Sequence, residues 1–524
     1  MAKKRIKIPD NQAIGAAIGN ESSQSIHSSK RIKQIAILGS LVLVYILVYL
    51  YIFDSKIDLN GDNMAYYHLG RSMAEGHGFT TIWEPGFKPH NHFPPGYPAM
   101  MASLMWLGFR SIILFKIING ILLAASILVF YLFSKRLGVS DCWAYFIGLC
   151  LIANIHLLRS ATIIMSEIPF LFPAVLILYL MTRIDFDKPI FRDYTWMVVT
   201  LLLGGLFYIR VTALSALLGV LAFYIFRKQW RHAVLTILGF VLLVVPWILN
   251  SSGNTNMQAF WYRNPYQPSL GTISFSDLIH RFLNNCIRYL SSEIPSIFYD
   301  TWSYTDRTHS FSGWIIGILI LGLLIYGIFK IDKYRILVIG YLAGSFGISL
   351  LWPEAWFGVR FINNIIPLII LLTFWGLYRL LKYIFPKAHP VWLFPLLLIN
   401  LPGLNALNQT AVKDYPMVWK SYIQMAEYCK ANLPDSVVIA TRKPTIFHHF
   451  AQRYSLMYAF LENDKEFIGD LKERSVDYVV LDRLGYSSTT MYLLPAIQNN
   501  QDYFQIIANS PNQAAVLFRF VSSP

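Results

Sequence analysis

The chain has 524 residues, 55 % of them hydrophobic and only 14 % charged, with 44 Lys+Arg against 29 Asp+Glu for a net charge of +15. Soluble proteins carry about 25 % charged residues, so a water-soluble multidomain fold is excluded, and the basic excess reads as membrane topology with no nucleic-acid partner. Cys142, Cys150, Cys286 and Cys429 form no CxxC pair, which excludes a zinc module or disulfide framework, although Cys286 and Cys429 fall on one side and could meet.

Residues 1–33 are a polar tail with Lys3, Lys4, Arg5, Lys7, Lys30, Arg31 and Lys33, and the tail is expected in the cytoplasm. The apolar run 34–53 is long enough to cross about 30 Å of hydrocarbon, and no small-residue cleavage site follows it, so a signal anchor is expected. A first external loop, 54–110, then concentrates chemistry. Asp62 opens GDNMAYYHLGRSMAEGHG, whose Ala65, Leu69 and Met73 recur at helical spacing and suit a helix lying on the membrane surface. Glu84, Lys88, His90 and His92 follow, and then FPPGYP at 93–98, a rigid turn before an apolar segment, 99–108, too short to span. His90-x-His92 offers two imidazoles to a divalent cation, though such a pair is more often a polar loop. Asp62 by itself also reads as a first-turn helix acid.

Further apolar stretches cover about 111–134, 142–158, 163–182, 195–209, 212–226, 233–250, 313–329, 336–352, 361–381 and 391–407, giving about eleven spans. Arg210 interrupts 195–226, which could be one long helix or two short ones. The flanking loops 183–193 and 227–232 are both basic, which requires an even number of crossings between them. Glu167, Arg210 and Arg360 fall at the outer ends of spans, where each also reads as an end-of-helix acid or a snorkelling base. The second external loop, 251–312, carries Arg263 and many rings, among them Trp261, Tyr262, Tyr266, Tyr289, Phe298, Tyr299, Trp302 and Tyr304, as an interfacial belt does.

The tail 408–524 alternates patterns: helices at 415–431, 445–451, 464–473 and near 491–507, and strands at 436–441, 477–482 and 514–520. The expected architecture is an all-α polytopic membrane protein, its transmembrane catalytic domain spanning 34–407, with a small external α/β domain over 408–524.

An acid opening a YY…LG…GHGF stretch that ends in PPGYP, followed by MSE at a helix start, YIR at a span tip and VRF before a late span, resembles the polytopic GT-C glycosyltransferases. The nearest branches are the dolichyl-phosphate-mannose protein mannosyltransferases and the aminoarabinose lipid A transferases, and the likeness covers roughly 34–381. The resemblance implies a multi-pass enzyme of the inner (cytoplasmic) membrane that takes a sugar from a polyprenyl-phosphate donor, with inversion, and gives it to a protein, lipid A or surface-glycan acceptor. It implies Asp62 as general base, Lys88, Arg210, Arg360 and Arg263 as cations for the leaving phosphate, and Glu167 and Tyr66 as substrate-binding groups. The mannosyltransferases carry Asp-Glu where this chain has Asp62-Asn63, which puts the same acceptor and any metal use in question. The competing class is a polytopic transporter or flippase of lipid-linked saccharides, for which ionisable residues near the bilayer midplane are expected.

Overall fold

The computed structural model describes residues 11–59, 61–250, 255–299 and 310–522. The chain is mostly helical. After α1 (Asn11–Ile52), a connecting segment holds α2 (Asp62–Ala74) and α3 (Gly96–Trp106). Then come α4 (Ile112–Arg136), α5 (Asp141–Ile152), α6 (Ile155–Ala161), α7 (Glu167–Met181), α8 (Thr195–Ile209), α9 (Leu214–Phe226) and α10 (Trp230–Asn250). A second connecting segment holds α11 (Thr255–Phe260), α12 (Phe275–Arg288) and α13 (Ile294–Phe298), and it is followed by α14 (Phe311–Phe329), α15 (Arg335–Leu351), α16 (Ile366–Ile384) and α17 (Leu401–Val412). Trp302 and Tyr304 lie outside the described residues.

Every apolar stretch read from the sequence is helical, yet they do not all have the length of a crossing. Among the described residues six helices are long and apolar enough to span, and α5 with α6, bent by 59° where Asn154 caps the second half, makes a seventh if counted as one. Glu167–Met181, Thr195–Ile209, Val211–Phe226 and Arg335–Leu351 are apolar but shorter. At 15 to 17 residues they cover about 22–26 Å, less than the roughly 30 Å of hydrocarbon, so length alone does not make eleven spans. The bundle exposes large apolar side chains in number; Leu242 and Leu249 of α10, for example, are 76 % and 73 % exposed. Water would not tolerate that surface, whereas lipid does, as fits a multi-pass membrane protein.

The 195–226 stretch is two helices. Arg210 adopts extended backbone (φ −152°, ψ 137°), and a 3-10 turn, Val211–Ala213, starts the second helix. α9 packs on α15 through small residues at matching spacing, Ser215 and Gly219 against Gly340 and Gly344. A Cβ on Gly340 would lie 2.9 Å from the Gly219 Cα, so the two backbones nearly touch. This fixes the Arg210 break relative to the chain leaving α15, which carries Arg360.

The C-terminal unit holds α18 (Met417–Asn432), β1 (Val438–Ala440), α19 (Pro444–Ala451), β2 (Tyr454–Leu456), α20 (Asp464–Glu473), β3 (Tyr478–Asp482), α21 (Leu494–Asn499), β4 (Phe504–Asn509) and β5 (Ala515–Phe520). Its five-stranded sheet runs β2-β1-β3-β5-β4, parallel on the β1 side and antiparallel at β5. The helix expected over 491–507 ends at Asn499, and β4 takes the remainder. β4 is an edge strand with Ile506 62 % exposed, so its residues lack the alternation that marks a strand. All four cysteines are free, and Cys429 is buried in the core of this unit.

α2 does not lie on a surface. Asn63, Met64, Ala65, Tyr66, His68 and Leu69 are all buried, because two bodies cover the helix. Met64 joins Tyr422, Met425 and Phe447 in the core of the C-terminal unit, while Tyr66 belongs to the core of the bundle.

Candidate active site

α2 begins abruptly at Asp62 because Gly61 turns the chain with φ 89°, a left-handed conformation that costs glycine little. The Gly61 carbonyl accepts from Ala65 N at 3.1 Å and from the Thr445 hydroxyl at 2.9 Å, which ties the helix start to α19. Asp62 is the first helical residue, at the positive end of the helix dipole. Asn63 is structural. Its amide donates to the Asp58 carbonyl at 2.5 Å, a bond no carboxylate can make, so an Asp-Glu pair would not fit this local fold.

Arg360 reaches the Asp62 carboxylate from the late helical turn Val359–Ile365. Its Nη1 lies 3.8 Å from Asp62 Oδ2, with the two side chains 41 % and 38 % exposed. A pair this long and this wet contributes about 0–1 kcal/mol, so either partner can exchange it for a ligand.

One turn along α2, on the face that carries Asp62, the buried Tyr66 starts a second, drier network. Its hydroxyl is 3.2 Å from Ser166 Oγ, which accepts from Arg210 Nη1 at 3.1 Å, and Arg210 Nη1 is also 2.8 Å from Glu167 Oε1. Ser166 and Glu167 open α7, and Arg210 occupies the break after α8. Glu167 is buried, and among the described residues its Oε2 has no hydrogen-bond partner. Burial raises the Tyr66 phenol.

The FPPGYP turn assembles this arrangement. Phe93 stacks on Tyr66 at 4.5 Å and Tyr97 meets it edge-on at 5.3 Å. Gly96 presses directly on the backbone of Tyr208 and Ile209, immediately before Arg210.

The structure therefore brings together Asp62, Tyr66, Glu167, Arg210 and Arg360. Lys88 and Arg263 are not drawn into this group. Lys88 is exposed in a turn closed by Thr81 N donating to its carbonyl, and it makes no ion pair among the described residues. Arg263 pairs with Asp277 at 3.2 Å, and Asp277 is itself committed to a Ser274 capping box that opens α12.

His90 and His92 lie near the site without forming a metal centre. His90 Nε2 accepts the Phe93 N–H at 3.0 Å, which spends that lone pair, and burial pushes the imidazole down to about 3. Burial also lowers His92, against the pull of the Asp62 carboxylate. Among the described residues no group of three or more His, Cys, Asp or Glu side chains is arranged to hold a metal ion.

Two contributors carried no sequence signal. Ser166 is an ordinary hydroxyl until Tyr66 and Arg210 converge on it. Lys443, from the C-terminal unit, comes beside Gly61 and feels the charges of Asp62, Asp58 and Arg360.

No family model and no curated protein matches the sequence. Solved structures do match the fold. ArnT from Cupriavidus metallidurans bound to undecaprenyl phosphate aligns with a TM-score of 0.58 at 12 % identity, over 92 % of this chain and 98 % of that one. The archaeal oligosaccharyltransferase AglB from Archaeoglobus fulgidus, in complex with an inhibitory peptide and a dolichol-phosphate, aligns with 0.58 at 11 % identity, over 94 % of this chain and 74 % of that one. The chain shares the fold of these two solved structures. Within it, the Asp62 helix of this chain is held on one side by the bundle and on the other by the C-terminal unit.

Proposed function

We propose that the chain is an integral-membrane glycosyltransferase that moves a sugar from a polyprenyl-phosphate donor to a hydroxyl of an acceptor. The observation that carries this reading is the half-exposed Asp62 carboxylate at a helix start, paired loosely to Arg360 and one helical turn from the Tyr66–Ser166–Arg210–Glu167 network. The polyprenyl phosphates held by the two solved structures support the choice of donor.

In the reaction the acceptor hydroxyl gives its proton to a carboxylate oxygen of Asp62, and its oxygen attacks the anomeric carbon. The bond from that carbon to the phosphate oxygen breaks on the opposite face, and the carrier phosphate leaves with the electron pair, so configuration inverts. A positioned base is worth about 10²–10⁴-fold. Arg360, released from its long ion pair, neutralises the departing phosphate, and Arg210, held in place by Glu167, backs it. Glu167 Oε2 accepts a sugar hydroxyl. Lys88 takes the carrier phosphate only if its turn closes on the site, and Arg263 only by leaving Asp277.

In this reading the N-terminal tail is cytoplasmic and the C-terminal unit lies outside an inner (cytoplasmic) membrane, an orientation that the basic loops support. The acceptor is a protein, lipid A or a surface glycan. The test is Asp62→Asn in purified, nanodisc-embedded enzyme, assayed for transfer from an undecaprenyl-phosphate sugar. A loss of at least about 100-fold with unchanged thermal unfolding is expected, and undiminished turnover would falsify the assignment.

A further inference from the structure

The C-terminal sheet has a switch point. After β1 the chain passes through α19 to β2 on one side, whereas after β3, on the other side of β1, it leaves toward β4 and β5. In open sheets of this kind ligands bind in the crevice outside the carboxyl ends of the parallel strands, where the connections diverge. Residues 441–443 and 483–488 frame that crevice here.

Its walls are cationic and braced by rings. The Arg442 guanidinium lies 4.4 Å over Tyr486 and 5.8 Å from Phe460, and Lys443 Nζ lies 4.6 Å over the same Tyr486 ring. Arg442 makes no ion pair with a carboxylate among the described residues. Nη1 instead donates to the Met457 thioether at 3.2 Å, a weak acceptor, and Nε is buried without a partner. Asp482, the last residue of β3, is buried with Oδ1 accepting from Leu484 N at 3.1 Å and Oδ2 unpartnered among the described residues. Unsatisfied donors and acceptors of this kind are costly unless a ligand meets them. The crevice adjoins the reacting carboxylate: Lys443 Nζ would be 3.5 Å from a Cβ on Gly61, and Tyr486 feels the charges of Asp58 and Asp62.

We propose that this crevice is a phosphate subsite, in which Arg442 and Lys443 hold a phosphate group of the substrate beside Asp62. Its place in the reaction rests on Asp62 being the reacting carboxylate, while the binding itself does not need turnover. Asp482 Oδ2 accepts a hydroxyl of the same ligand, which makes the class a sugar or polyol phosphate. The phosphate comes either from the lipid carrier or from the acceptor. Burial, Arg442 and Arg360 hold the Lys443 ammonium down at about 8 against the pull of Asp62 and Asp58, so wild-type binding weakens as pH rises through that value.

The experiment measures binding to the full chain in nanodiscs, with undecaprenyl phosphate and glycerol phosphate as separate probes. Variants are Arg442→Met, Lys443→Met, Lys443→Arg and Asp62→Asn. Loss of one charge-assisted contact predicts binding weaker by about 10-fold or more in Arg442→Met and Lys443→Met. Lys443→Arg keeps its affinity above pH 8, where the wild type loses it, a signature that a purely structural lysine does not give. A loss confined to undecaprenyl phosphate assigns the subsite to the carrier, and one confined to glycerol phosphate assigns it to the acceptor. Unchanged affinity for both probes in all Arg442 and Lys443 variants overturns the proposal. Asp62→Asn keeps the Arg442 and Lys443 contacts, so it is expected still to bind both probes while losing transfer. If it also transferred sugar normally, the function would fall while the subsite stood.

Discussion

Gly96 offers the sharpest mechanical test of the site. A methyl group added there would lie 2.6 Å from the Tyr208 carbonyl oxygen and 3.0 Å from Ile209 N, both backbone atoms that cannot rotate aside. Reaching ordinary contact at 3.4 Å requires the FPPGYP turn and the end of α8 to part by about 0.8 Å. Overpacking of this kind costs about 1–3 kcal/mol. The chemical consequence is larger, because Arg210 follows Ile209 directly while Phe93 and Tyr97 of the same turn hold Tyr66. A misplacement of about 1 Å costs on the order of 100-fold in rate, so Gly96→Ala is expected to lower kcat/KM by about 10–100-fold. Gly205→Ala is the control. It lies in α8, the helix that Gly96 presses on, with nothing within 4 Å, and alanine there favours the helix by about 1 kcal/mol. The assay is initial-rate sugar transfer in nanodiscs alongside thermal unfolding of both variants. If Gly96→Ala matched Gly205→Ala in rate and stability, the turn would not be setting the site.

Glu167→Gln strands the mostly buried Arg210 guanidinium, 21 % exposed, and breaking such a pair costs about 3 kcal/mol. The double change Glu167→Gln with Arg210→Met is expected to recover most of that stability in denaturant unfolding while activity stays lost; equal stability of single and double variants would refute a direct pair. The contact of α2 with α19 is expected to be acid-labile. His68, His448 and His449 cluster there with ring centroids 4.9 and 5.7 Å from His68, Arg71 and Lys430 add positive charge, and His448 Nδ1 faces the Arg453 carbonyl. Burial lowers all three, His449 to about 4. The folded state resists protons that the unfolded state takes near pH 6.5, so stability holds above that value and drains as pH falls toward 4. Melting temperature against pH should show this loss, and His449→Gln should flatten it; an unaltered profile would remove the histidines from the explanation.

Apolar run length made the bundle legible in advance, the amphipathic stretch in the first loop pointed to Asp62, and charged residues at span ends picked out Glu167, Arg210 and Arg360. Those signals survive because charges near lipid are costly and therefore rare. What stayed hidden depends on residues far apart in sequence. Nothing local marks Ser166 as the junction of Tyr66 and Arg210, or Lys443 as a neighbour of Gly61. Arg263 is the opposite case: its partner is written in the Ser274-x-x-Asp277 box, where a local cap outweighs a distant phosphate. β2 was missed because it has three residues, and β4 because its exposed face breaks the alternation.

The burial of Met64 among residues of the C-terminal unit also sets a timetable. Thr445, which secures the Gly61 carbonyl, lies 384 positions further along the chain. At synthesis rates of about 5–20 residues per second, that partner arrives roughly 20–80 s after the loop does. Through that interval the bundle can assemble around its apolar helices, but the reacting carboxylate has no clamp. If the proposed function holds, a ribosome-bound nascent chain is a membrane protein before it can act as an enzyme, because the order in which the pieces are made leaves Asp62 without its clamp until the C-terminal unit is complete.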